Sequence, residues 1–238
     1  MKPMLFVRND PWETFGVALD AVRAAGGSVR VFDALDAVAS APDLADVSAV
    51  VVFGNPFNVE QADEHPFIKD VAELTRSAID RGVPLLGLSF GAQLLAWTLD
   101  AEVGRSPERE IGFEAIRPTR AAVDDRLFSH YRDGDRVFQW HMDTFEVPEG
   151  AELLATGDRV TNQAFRVGER AWGVQFHLEI DGPEIALWTN GFGEERDLRT
   201  GWGKSPEEVW EEARLHLGEH ERKGREVFRR FTALARET

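Results

Sequence analysis

Short apolar runs and longer amphipathic stretches alternate through the first hundred positions. Residues 4–7 form a brief apolar run that predicts a buried strand, and Asp10-Pro11 then turns the chain into a helix to about Ala25. Gly26-Gly27 ends that helix, and residues 28–32 form a second β-rich run ahead of the acidic, Ala-rich residues 33–46. Residues 47–53 are apolar except for Ser48, the pattern of a central parallel strand covered on both faces. A helix over 67–81, a strand over 83–88 and a helix over 90–99 follow. Such alternation predicts an α/β fold with a doubly wound, mostly parallel sheet.

The pattern then changes. Runs 110–117, 136–140, 152–156, 161–167 and 171–176 are strand-like with few helices between them. Gly134-Asp135, Glu149-Gly150, Gly157-Asp158 and Gly168-Glu169 punctuate them as turns. This predicts an antiparallel excursion that rejoins the main sheet at 172–176. The last stretch is helical. Gly182-Pro183 opens a helix to about Asn190, and residues 191–203 read as a Gly-rich charged loop. Ser205-Pro206-Glu207-Glu208 is a strong helix start, with Ser as the cap, Pro first and Glu third. Val209, Ala213 and Leu217, then Val227, Phe231 and Leu234, recur at helical spacing. The expected organisation is one domain over residues 1–190. Residues 191–238 form a helical extension packed on or beside it.

Composition narrows the function classes. The 238 residues are 43% hydrophobic and 29% charged, enough for a packed core. Lys and Arg number 27 against 42 Asp and Glu, a net charge of −15. That balance disfavours nucleic acid and anionic membranes as partners. There is no cysteine, so disulfides and thiolate metal sites are excluded. The apolar N-terminal run is too short for a signal peptide, and no segment approaches a membrane span. A soluble, cytoplasmic protein is expected. His65, His130, His141, His177, His216 and His220 form no tight ligand pattern, and neither a Walker nor a GxGxxG glycine pattern occurs. No metal and no cofactor are expected. His216 and His220 are four apart, which is read as a solvated helix face, and His141 is a weak further candidate.

Three places carry candidate chemistry. In Gly87-Leu88-Ser89-Phe90-Gly91 an apolar strand leads in and an apolar helix leads out. Small flanking residues permit a tight strand-to-helix turn that presents a side chain at a helix N-terminus. Gln93 lies four residues on, along the same helical face. His177 and Glu179 are two apart, so on extended backbone they face one side, as a base and its orienting carboxylate require. Gly54-Asn55-Pro56 follows the strongest strand, where α/β sheets bind ligands. The order with Glu179 after His177 does not fit an α/β-hydrolase esterase.

Together these segments resemble the class I (triad-type) glutamine amidotransferase superfamily. Residues 87–96 resemble its nucleophile elbow, with Ser89 where cysteine is expected. Residues 173–179 resemble its His-x-Glu motif, with Leu178 at the usual proline, and Gly54-Asn55-Pro56 resembles its Gly-Gly-Pro oxyanion loop. Residues 140–145 and 162–166 resemble segments of the stand-alone branch similar to the glutaminase part of GMP synthase. The resemblance covers about 45–180 and implies a flavodoxin-like sheet. It implies hydrolysis of glutamine or a γ-glutamyl compound through a γ-glutamyl enzyme. Ser89 is then the nucleophile, His177 the base and Glu179 its orienter. Backbone N–H groups of Asn55 and Phe90 form the oxyanion hole. Gly54, Gln93, Met142 and Asp143 hold the substrate. Ammonia transfer would need an ammonia-using synthase subunit as partner, while plain γ-glutamyl hydrolysis needs none. Three accounts fit the serine: an engineered replacement of cysteine, a serine nucleophile as in peptidases similar to dipeptidase E, or a domain that binds without catalysis.

Overall fold

The computed structural model describes residues 2–36, 38, 40–191 and 195–237. Its nine strands form one sheet, and the chain pattern explains which face each residue takes. The parallel part contains β1 (Met4–Arg8), β2 (Val29–Asp33), β3 (Ala49–Val52), β4 (Leu85–Leu88) and β9 (Ala171–Val174) in the order β2-β1-β3-β4-β9. This is the flavodoxin-like order. All four residues of β3 are buried, as expected for a strand covered on both sides.

Side chains alternate along these strands. Met4, Phe6, Val51, Leu86 and Leu88 enter one core, while Leu5, Val7, Val50, Val52 and Leu85 enter the other. Helix α1 (Gly16–Ala24) covers the first face together with α6 (Pro206–Ala235). Helices α2 (Phe67–Asp80) and α3 (Phe90–Thr98) cover the second. On α6, Val227, Phe228, Phe231 and Leu234 join the same core as Met4 and Phe6.

The antiparallel excursion joins the same sheet at β9. The order continues β9-β8-β7-β5-β6, with β5 Val103–Pro118, β6 Asp135–Phe145, β7 Glu152–Gly157 and β8 Asn162–Val167. Strand β9 is parallel to β4 and antiparallel to β8, so the sheet changes sense there. A register shift lies between Arg105 and Glu110 in the long β5–β6 pair.

Two expectations change. Residues 191–203 are not simply a loop: α4 (Gly182–Gly191) reaches its start, and α5 (Glu195–Trp202) occupies most of it. Leu198 is buried there with Trp202 packed alongside, so tertiary contacts override the glycine and charge content. Residues 192–194 of that stretch lie outside the described residues. His220 does not lie on a solvated face; it is buried, because this side of α6 packs against the segment carrying His177. The Ser205 cap forms as the motif predicts. Its side chain accepts from Glu208 N, and the Glu208 carboxylate accepts from Ser205 N at 2.7 Å.

Candidate active site

Strands β1, β3, β4 and β9 are mutually parallel neighbours, so their carboxyl ends open on one edge of the sheet. This is where open α/β sheets bind ligands. Asn9 follows β1, Gly54 and Asn55 follow β3, Ser89 follows β4, and His177 lies beyond β9. All five line one cavity of about 470 Å³.

Ser89 sits at φ 51° and ψ −111°, outside the regions that L-residues favour. Such a conformation costs ~1–3 kcal/mol and persists only where the surroundings impose it. Here they do. Ser89 N–H donates to the Val174 carbonyl at 2.7 Å, tying the elbow to β9. A Cβ added at Gly87 would collide with the Gly91 backbone, and one at Gly91 would collide with the Val52 carbonyl. Glycine at both flanks is therefore required by close backbone approach.

Helix α3 begins at Phe90, whose N–H lies in the first turn with no intrahelical acceptor. Among the described residues, no acceptor is paired with the backbone N–H of Phe90 or of Asn55. The Asn55 side chain explains why the loop keeps its shape. Its Oδ1 accepts from Phe57 N at 2.7 Å, and its Nδ2 donates to the Asn9 carbonyl. Asn9 Nδ2 in turn donates to the Phe53 carbonyl at 2.9 Å. A side chain at position 54 would crowd the site, since a Cβ there falls 3.2 Å from His177 Cε1 and 3.9 Å from Ser89 Cβ.

His177 Nδ1 is 2.6 Å from Glu179 Oε1, and both side chains are buried. They meet without the extended backbone expected from their spacing, because β9 stops at Val174 and the chain bends. Instead His177 N–H donates to the Phe138 carbonyl at 3.0 Å, and His220 Nε2 donates to the His177 carbonyl at 2.8 Å. Burial pushes His220 down to about 4, so it is a neutral donor. The His177 and Trp188 rings meet edge-to-face, with centroids 4.7 Å apart.

The remaining predicted residues form a separate group. Gln93, Met142 and Asp143 do not line the cavity. Gln93 Nε2 donates to the Asp143 carbonyl and to Gln175 Oε1, each at 3.2 Å. Met142 is half-buried on β6 between His141 and Asp143. His141 belongs to a buried chain: its Nε2 is 2.9 Å from Glu110 Oε2 and its Nδ1 is 2.9 Å from the Asp143 carbonyl.

Sequence reasoning missed two acids. Glu13 and Glu184 are buried beside Glu179. Burial, then the charge of Glu179, pushes Glu184 up to about 7. Burial, then Glu184 and Glu179, raises Glu13 well above the usual carboxylate range. Their only sequence signal was an acid in a turn and an acid in a first helical turn, which are ordinary positions for Glu. Among the described residues no cluster of acids, histidines or cysteines could hold a metal. No helix of the described residues is long and apolar enough to cross a membrane.

The glutamine amidotransferase class-I family model matches residues 17–185, and the chain belongs to that family. The chain is 37% identical over 137 residues to the GMP synthase [glutamine-hydrolyzing] of Bacteroides fragilis, covering 56% of this chain and 25% of that protein. It thus spans about a quarter of the length of such relatives. It is 28% identical over 178 residues to YfeJ, a glutamine amidotransferase-like protein of Salmonella typhimurium, covering 74% of each chain. A glutamine amidotransferase structure from Thermotoga maritima superposes with a TM-score of 0.85 at 26% identity, covering 100% of this chain and 99% of that one.

Proposed function

We propose that this chain hydrolyses the γ-amide of glutamine or a γ-glutamyl compound through an acyl intermediate on residue 89. The observation that carries this reading is the strained Ser89 elbow sharing a cavity with His177, which is itself bonded to buried Glu179. In the first step the Ser89 Oγ–carbon bond forms at the amide carbonyl while His177 takes the hydroxyl proton. The carbonyl oxygen becomes an oxyanion, to which the N–H groups of Asn55 and Phe90 donate. The C–N bond then breaks, and His177 returns the proton to the departing nitrogen. Water attacks the ester in the same sense, losing a proton to His177, and glutamate leaves as Ser89 regains its proton. Glu179 orients the imidazole and stabilises its charged form. Gly54 keeps the approach open, and Gln93, Met142 and Asp143 hold the amino-acid end. Where glutamine is the substrate, ammonia is the product, and a synthase subunit that consumes it is the partner.

A hydroxyl is a weaker nucleophile than a thiol at a site of this kind. The test is therefore hydrolysis of L-glutamine and γ-glutamyl amides by the chain and by its Ser89→Cys form, with mass spectrometry of the acyl adduct. Turnover by the serine form makes Ser89 a working nucleophile. Turnover by the cysteine form alone makes it a disabled one. Binding without turnover in either form refutes the hydrolytic reading and leaves a binding domain.

A further inference from the structure

The cavity above Ser89 and His177 has walls unlike those expected for free glutamine. Its volume of about 470 Å³ falls within the ~300–1,000 Å³ typical of sites for drug-sized ligands. Trp12, Trp140, Trp188, Phe57, Leu35 and Leu187 form its walls, and Trp12 is 65% exposed at the rim. Most polar groups in the lining are committed to their own backbone. The Asn9 and Asn55 amides hold the loop after β3, Asp10 Oδ1 accepts from Trp12 N, and Glu13 Oε1 accepts from Phe15 N. No Lys or Arg lines the cavity among the described residues.

Position gives the cavity its meaning. Gln93 and Asp143, which hold the amino-acid end of the substrate in the function proposed above, lie outside this lining and are buried together elsewhere. Ser89 and His177 lie within the lining. The cavity therefore receives the other side of the scissile amide, the side of the departing nitrogen. In glutamine that side carries only hydrogens and would leave an aromatic-walled space unfilled.

We infer, resting on that function, that the substrate is a γ-glutamyl amide whose amine carries an aromatic or similarly apolar, uncharged group. Aromatic rings pack edge-to-face or offset against the three tryptophans, and the apolar group leaves water on binding. An amine bearing a carboxylate, as in a γ-glutamyl peptide, would be buried without a cation and is disfavoured. The covalent steps are those already written. The C–N bond breaks, His177 delivers the proton to the leaving nitrogen, and the free aromatic amine departs as glutamate is formed by water.

The experiment compares γ-L-glutamyl-p-nitroanilide, γ-L-glutamylglycine and L-glutamine as substrates of the chain and of Ser89→Cys. Calorimetric binding of each to the serine form accompanies the kinetics. A hydrophobic pocket discriminates by about tenfold or more for even one methylene, so kcat/KM for the anilide should exceed that for glutamine by at least about tenfold. Trp12→Ala should reduce this ratio severalfold. Leu187→Lys, which places a cation in the wall, should lower it further and raise the glycine amide relative to the anilide. Glutamine hydrolysed as well as the anilide overturns the inference and leaves the proposed function standing. A preference for the anilide that neither variant moves also overturns it, because the aromatic group then sits elsewhere. Neither hydrolysis nor binding of any of the three overturns the function itself, and the inference with it.

Discussion

Glu110 and Glu184 are both buried carboxylates, yet they meet different company. Glu110 Oε2 accepts from His141 Nε2 and from Gln163 Nε2, each at 2.9 Å, and Gln163 Oε1 accepts from Gln139 Nε2 at 2.6 Å. His141 faces oxygen with both ring nitrogens, the Asp143 carbonyl through Nδ1 and the Glu110 carboxyl through Nε2. The group is a buried carboxyl–imidazole contact finished with amide donors. Glu184 instead lies with Glu13 and Glu179, and its hydrogen bonds come from the Thr14 backbone N–H and from its carboxyl neighbour Glu13. Burial and the neighbouring charge of Glu179 push the Glu13 and Glu184 carboxyls toward their protonated forms. The first cluster resists change by geometry. The second responds to pH, and one of its members, Glu179, holds His177.

Four substitutions break or sharpen this contrast. The largest effect is expected at Glu179, whose negative charge the proposed chemistry uses. Glu179→Gln should lower kcat for amide hydrolysis by up to about 10⁴-fold in whichever form, Ser89 or Ser89→Cys, is active. Steady-state kinetics at constant enzyme stability would check this, and an undiminished kcat would remove Glu179 from the mechanism. Next comes Glu110→Ala, which leaves the buried His141 without its partner. Unfolding free energy should fall by about 2–4 kcal/mol in urea denaturation, because the side chains of His141 and Gln163 both lose a buried acceptor. A loss below about 1 kcal/mol would show that the pair is not the anchor described.

Glu184 tests the other side of the comparison through pH. Its folded pKa of about 7 lies above the 4.5 of the unfolded chain, so the native state binds the extra proton between those values. Its contribution is fully present below pH 4.5 and is lost as pH rises through about 7. Thermal melts should therefore show stability falling across that window. Glu184→Gln should flatten the fall and raise stability at pH 8 by on the order of 2 kcal/mol. The smallest effect is expected from Glu13→Gln. Burial beside Glu184 and Glu179 raises the Glu13 carboxyl well above the usual range, and an amide can donate to Glu184 in its place, so stability should change by less than about 1 kcal/mol.

Much of this was legible in the chain, for identifiable reasons. Elements whose signals are local appear as expected: the all-apolar β3, the alternation into α3, and the Ser205 capping box. The glycines around Ser89 were legible because a tight elbow needs them at fixed spacing. What escaped the reading depends on distant contacts. Glu13 and Glu184 lie far apart in sequence, so nothing local marks them as neighbours. Helix α5 hides behind glycine and charge because the burial of Leu198 decides it. His220 has the sequence setting of a surface residue and becomes buried through a backbone carbonyl 43 positions earlier. The cavity walls come from Trp12, Trp140 and Trp188, each an ordinary core candidate when read alone.

The packing of α6 also has a consequence for synthesis. The carbonyl of His177 is held by His220, the Leu178 backbone rests against Gly224, and Thr232 hydrogen-bonds the sulfur of Met4 across 228 positions. At a translation rate of about 5–20 residues per second, roughly 10–45 s separate the emergence of β1 from that of its covering helix. Throughout that interval the apolar face of β1 and α1 lacks its cover. A chain stalled before residue 220 lacks the imidazole that holds the His177 carbonyl. The nascent protein therefore cannot finish the floor of the cavity beneath His177 until its distal helix has been made.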